Sequence, residues 1–158
     1  MMSDEEYMRV ALKEAETAAL AGEIPIGAAV VFDGEIIARG HNIRECELDP
    51  TGHAEIVAIR LAAERLRRWR LDGCTLYVTV EPCPMCAGAL VMSRIARLVY
   101  GVYDSRAGAC GSLFDIVENP KLNHRVEVRA GVLEDECRKM MKRFFETRRH
   151  VKDDGNET

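Results

Sequence analysis

Apolar residues recur along this chain at two spacings, and each change of spacing marks a change of element. Residues 3–21 hold few helix breakers and end before Gly22, which predicts a helix with a glycine stop. Apolar and β-branched residues then crowd 24–32 and 35–41. Asp33-Gly34 joins them, a dipeptide suited to the left-handed backbone of a tight hairpin turn. After a polar stretch over 42–52, Ile56, Val57, Ile59, Leu61, Ala62 and Leu66 predict a mostly buried helix over 53–68. Residues 74–80 read as a strand that Pro82 ends. Pro84 falls where the first turn of a helix tolerates proline, and that helix is expected to reach Arg94. Further strands are predicted over 97–103 and 126–132, with a helical turn over 113–117 after the glycine-rich 108–111. The last helix covers 133–149; Leu133, Cys137, Met141 and Phe144 share one face, which makes Cys137 a small core residue.

One hairpin followed by alternating helices and strands predicts an α/β domain, its mixed sheet covered by helices on both faces. With 158 residues, 47% hydrophobic and 30% charged, the chain can bury one ordinary core. The domain is expected to span 1–151, with 152–158 a polar, disordered tail. No apolar run approaches the roughly 18 residues of a membrane helix. The acidic start, Met-Met-Ser-Asp-Glu-Glu, lacks the layout of a signal peptide. A soluble, cytoplasmic protein without membrane association is the expectation.

A net charge of −4 argues against nucleic-acid binding by the whole surface. Bases nonetheless cluster at Arg60, Arg65, Arg67, Arg68 and Arg70, and again at Arg138, Lys139, Lys142, Arg143, Arg148 and Arg149. Such clusters are either solvated helix faces or phosphate-binding surfaces.

Six cysteines in a chain of this length without an export signal read as free thiols or metal ligands rather than disulfides. Cys83 and Cys86 form a Cys-x-x-Cys pair at a predicted helix start, where the helix dipole favours thiolates. His53 stands at another. Two soft thiolates and an imidazole suit zinc, and three protein ligands leave the fourth position that a catalytic zinc keeps open. Glu55, two residues from His53, is placed to shuttle protons. Taken singly, a histidine or glutamate at a helix start is usually structural, and a Cys-x-x-Cys can be a redox dithiol. Together, His-x-Glu followed by Pro-Cys-x-x-Cys is the signature of zinc nucleobase deaminases.

The segments Pro25-Ile26-Gly27-Ala28, His41-Asn42, 49–55 and 81–89 resemble the cytidine-deaminase superfamily. Within it, 108–113, 123–128 and 144–149 resemble the bacterial tRNA-specific adenosine deaminases, the TadA family. The resemblance implies a three-layer α/β/α cytidine-deaminase-like fold around a mixed five-stranded sheet, a homodimer, and one zinc per subunit with no organic cofactor. The implied reaction is hydrolytic deamination of adenosine to inosine at the wobble position of a tRNA anticodon, arginine tRNA above all. His53, Cys83 and Cys86 are then the zinc ligands and Glu55 the proton shuttle. Asn42 and Ala54 would contact the inserted nucleotide, and Asp104, Asn123, Phe145, Arg148 and Arg149 would sit near the anticodon loop. Asn42 can donate and accept, Phe145 offers a stacking face and the arginines can pair with phosphates. Equally, Phe145 fits a core, the two arginines fit a solvated helix end, and Asp104 is an awkward neighbour for an anion.

Two positions depart from the family pattern. Gly52 replaces a common alanine, which would loosen the approach to His53; Cys110 stands where alanine is usual, an inert packing residue or an oxidation liability. Two other functions share these features: deamination of free cytosine, cytidine or guanine, and non-catalytic RNA binding with a structural zinc. The second needs a fourth ligand from Cys110 or Cys46.

Overall fold

The computed structural model describes residues 2–155. Its elements in chain order are α1 (Asp4–Leu20), β1 (Gly27–Phe32), β2 (Glu35–His41), α2 (Ala54–Leu66), β3 (Thr75–Val80), α3 (Pro84–Met92), β4 (Arg97–Val102), β5 (Glu127–Arg129) and α4 (Glu134–Gly155). Local chemistry sets their ends. The Ser3 hydroxyl accepts from the Glu6 N–H, three acids occupy the first turn of α1, and Gly22 leaves the helix at φ +79°. Asp33 and Gly34 both take positive φ, as the hairpin between β1 and β2 requires.

The sheet runs β2-β1-β3-β4-β5, antiparallel across its first three strands and parallel across β3, β4 and β5. One core joins the sheet to α2 and α3 through Ala54, Ala58, Ala62, Ala87 and Leu90. The other joins it to α1 and α4 through Tyr7, Met8, Ala11 and Cys137. Both faces are therefore covered, as expected, and Cys137 is buried against β4 as the helical face predicted. Gly27 has no room for a side chain, because the backbone of α1 crosses directly over it. With this strand order, the start of β1 and the ends of β2, β3 and β4 all lie at one edge. The chain enters α2 and α3 there.

Several boundaries differ from expectation. β1 starts at Gly27 rather than residue 24, because Pro25 has no N–H and Ile26 closes a tight turn onto the Ile24 carbonyl. Residues 113–117 form turns and the short bridge between Cys110 and Asp115 instead of a helical turn. β5 is three residues long, short of the expected 126–132. α4 runs past Arg149 to Gly155, so part of the expected tail is helical; 156–158 lie outside the described residues. Among the described residues no helix is long and apolar enough to cross a membrane.

Asp4 ties α1 to three strands. Its carboxylate accepts from the Tyr77 hydroxyl at 2.6 Å, from both terminal nitrogens of Arg97 at 2.9 and 2.8 Å, and from Arg129 at 2.5 Å. The Arg97 guanidinium, followed by Tyr77 and Arg129, holds its carboxyl well below the usual range against a desolvation that pushes the other way. A depressed carboxyl contributes stability that is present above its unfolded-state value, about 3.9, and is lost as pH falls through the native value. Asp4→Asn should therefore lower urea stability by about 1–3 kcal/mol at pH 7, with the gap narrowing below about pH 4. An equal deficit at both pH values would count against this role.

Candidate metal centre and active site

His53 is the residue that precedes α2, Cys83 the one that precedes α3, and Cys86 lies in the first turn of α3. The two helix starts bring them together. His53 Nδ1 lies 3.5 Å from Cys83 Sγ and 3.4 Å from Cys86 Sγ, and the three ligand atoms lie within 4.8 Å of one another. A tetrahedral zinc, with bonds of about 2.05 Å to nitrogen and 2.3 Å to sulfur, spaces such ligands about 3.6 Å apart. The donor set and its spacing fit that ion. Among the described residues neither Cys46 nor Cys110 joins the cluster.

Charge is arranged to match. The hydrogen bond from the Cys86 thiol, aided by His53, lowers Cys83 to about 4. The adjacent Cys83, together with burial, pushes Cys86 upward. The bond to Cys83 also raises His53. Glu55, in the first turn of α2, is 3% exposed, and burial pushes its carboxyl up to about 7.

His53, Glu55 and Cys83 face a cavity of about 150 Å³ that Asn42, Arg44, Ala54 and Asp104 also line. Ile24, Ile26, Val80 and Asp104 also line a wider groove of about 730 Å³, so the two spaces adjoin. Tyr103, Arg106, Lys142, Phe145 and Arg149 form the groove's outer part. Phe145 is 39% exposed there and is not a core residue. Arg148 lies outside the groove, with its guanidinium 5.2 Å from the centre of the Phe144 ring. Asn123 is exposed on the loop before β5, beside His124, whose Nε2 lies 2.6 Å from the Ile95 carbonyl at the opposite edge of the sheet. Within one chain the fold does not bring Asn123 to the cavity.

Two cavity-lining side chains also shape their own loops. Asn42 Oδ1 accepts from the Arg44 N–H at 3.1 Å, which leaves its amide N–H groups to donate. Asp104 Oδ1 accepts from the Arg106 and Ala107 N–H groups at 3.0 and 3.1 Å. That use gives the Asp104 side chain a structural role in its own loop.

Two further residues were not singled out by sequence reasoning. Glu23, 1% exposed, accepts from the N–H groups of Glu45 and Cys46 and anchors the loop that carries Asn42 and His53. Glu81, 3% exposed, accepts from the N–H groups of Asp104, Cys110 and Ser112 at 3.1 Å each, and from the Ser112 hydroxyl. A side chain at Gly108 would run into that carboxylate. Glu81 stands inside the motif, but nothing local to an isolated glutamate announces donors more than twenty residues away.

The two departures from the family pattern resolve as packing. A Cβ at Gly52 would come within 2.9 Å of Ile43, and the Gly52 carbonyl accepts from the Ile43 N–H. The segment before His53 is tightly held rather than loosened. Cys110 is buried against the Pro82 carbonyl, and burial pushes its thiol upward, which makes it inert.

Replacing Glu81 by glutamine puts an NH2 donor where one acceptor oxygen had faced N–H and O–H donors. Glu81→Gln should cost about 2–3 kcal/mol in denaturant unfolding and speed amide exchange at Asp104, Cys110 and Ser112, while bound zinc stays at wild-type stoichiometry. Unchanged exchange at those amides would show that the loop does not depend on this carboxylate.

Residues 1–102 match the family of cytidine and deoxycytidylate deaminase zinc-binding regions. A tRNA-specific adenosine deaminase of Bacillus subtilis is 50% identical over 152 residues, 96% of this chain and 94% of the relative. A solved structure from work on A-to-I editing by tRNA:A34 deaminases at the wobble position of transfer RNA superposes with a TM-score of 0.83 at 44% identity, covering 85% of this chain and 98% of that one. A guanine deaminase from Nitrosomonas europaea is more distant, at 28% identity and a TM-score of 0.75 over 91% of this chain and 85% of the other. A shared zinc motif, a shared mixed sheet and half-identical sequence over nearly the full length converge: the chain belongs to the zinc-binding cytidine and deoxycytidylate deaminase family, in its tRNA-specific adenosine deaminase branch.

Proposed function

We propose that this protein deaminates adenosine to inosine at the wobble position of a tRNA anticodon, arginine tRNA above all, consuming water and releasing ammonia. The observation that carries the reading is a three-ligand metal site opening onto a small cavity that the Glu55 carboxyl also faces. A structural zinc would call for a fourth protein ligand, and among the described residues there is none beside the three. The half-identical relative supports the choice of a tRNA substrate over a free base.

His53, Cys83 and Cys86 would hold one zinc per subunit; when bound, that ion supplies a Lewis acid able to make water a nucleophile near neutral pH. Glu55 takes the proton from the attacking water as C6 of adenine is attacked and delivers it to N1. It then assists proton transfer to the 6-amino group, which leaves as ammonia. Asn42 presents amide donors to the inserted nucleotide, and Ala54 forms part of the wall beside Glu55. Phe145 offers a stacking face in the groove and Arg149 a partner for phosphate, with Asp104 able to accept from a ribose hydroxyl. Arg148 and Asn123, outside the groove, would meet the RNA beyond the inserted nucleotide. We place the enzyme in the cytoplasm with its tRNA and as a homodimer; Met92, Leu113 and Phe114 each leave apolar area exposed that a second copy could cover.

The zinc-loaded protein should form inosine in an anticodon stem-loop RNA bearing a wobble adenosine and release no ammonia from free adenosine, cytidine, cytosine or guanine. Ammonia from a free base with the RNA untouched would overturn the substrate. Glu55→Gln should keep its zinc and lose about 10²–10⁴-fold in turnover, whereas Cys83→Ala should lose the zinc itself by metal analysis.

A further inference from the structure

The mouth of the cavity has two lips built alike. On one, Asn42 lines the cavity, and its side-chain oxygen accepts from the backbone of Arg44, two residues on. On the other, Asp104 lines the cavity, and its side-chain oxygen accepts from the backbone of Arg106, again two residues on. Each lip is tethered to a buried carboxylate, the first by Glu23 through the N–H groups of Glu45 and Cys46, the second by Glu81 through the N–H of Asp104. Arg44 lines the cavity itself, and Arg106 the groove that shares a wall with it. Among the described residues neither guanidinium makes a hydrogen bond or an ion pair, unlike Arg9, which pairs with Glu136, and Arg97, which pairs with Asp4. The two cations sit on anchored loops that follow β2 and β4, separated in the sheet by β1 and β3, as two anions flanking a buried group would need.

We infer that Arg44 and Arg106 form a clamp for the two phosphates on either side of the inserted nucleotide, so that the site selects an adenosine inside a polynucleotide over a free nucleoside. The inference rests on the proposed tRNA substrate. A nucleotide splayed from its loop carries one phosphodiester on each side, and both must lie at the mouth when the base is inside. A free nucleoside has neither. Asn42 and Asp104 act here as positioning residues, each setting its arginine through one backbone bond.

The test measures kcat/KM on an anticodon stem-loop for the wild type, Arg44→Gln, Arg106→Gln and the Lys replacement at each position. Each glutamine variant should lose about tenfold, through KM, with unchanged zinc content and melting temperature. The fall of log kcat/KM with log salt should flatten by about 0.7 per arginine, and lysine should restore most of both effects. Stem-loops with a neutral methylphosphonate 5′ or 3′ of the target supply the decisive comparison. Each arginine should have one methylphosphonate that weakens the wild type and leaves the matched glutamine variant no worse. Strictly additive losses for both RNAs, or variants as efficient as wild type, would overturn the clamp while leaving the substrate intact. A wild type inactive on the unmodified stem-loop would overturn the substrate and the clamp with it.

Discussion

The starts of α2 and α3 lie side by side because β2 and β3, the strands that lead into them, end at the same edge of the sheet. That is where a histidine and two cysteines from segments thirty residues apart can meet within 3.5 Å. Both helix dipoles point their positive ends at the meeting place, which favours the thiolate forms that bind metal. Antiparallel pairing of β1 with both neighbours carries the rest. It adds the start of β1 to this edge, so that Ile24 and Ile26 become cavity wall instead of strand.

A ligand cluster at a sheet edge needs loops that stay closed over it, and these loops carry little apolar surface of their own. Glu23 and Glu81 meet that need from below. A buried carboxylate surrounded by backbone donors is tolerable because charge-assisted hydrogen bonds offset its desolvation, and it fixes several residues of loop at once. Glu23 holds the segment that delivers Asn42 and His53; Glu81 sits beside the cysteines and holds the segment that delivers Asp104. The rim of the cavity therefore inherits its geometry from the core beneath it.

Features written in short stretches were legible in the sequence. The Asp33-Gly34 turn, the apolar spacing of α2, proline at the first turn of α3 and the paired His-x-Glu and Cys-x-x-Cys motifs all depend on neighbours a few residues away. What distance decides was not legible. Glu23 and Glu81 look like any glutamate until their donors arrive from other elements. Residues 113–117 have a helical look, yet the bonds of Leu113 and Phe114 to the Gly108 carbonyl and the Cys110–Asp115 bridge fold them into turns. Asn123 matched a family motif, but motif matching carries no information about which edge of the sheet a loop occupies.

The starts of α2 and α3 offer a metal three protein ligands and leave its fourth position to the cavity. Zinc K-edge absorption on the loaded protein tests this arrangement most directly. Two sulfur scatterers at about 2.3 Å and two nitrogen or oxygen scatterers at about 2.0–2.1 Å are predicted. Three or four sulfurs, drawing in Cys46 or Cys110, would mean a closed site and contradict the account.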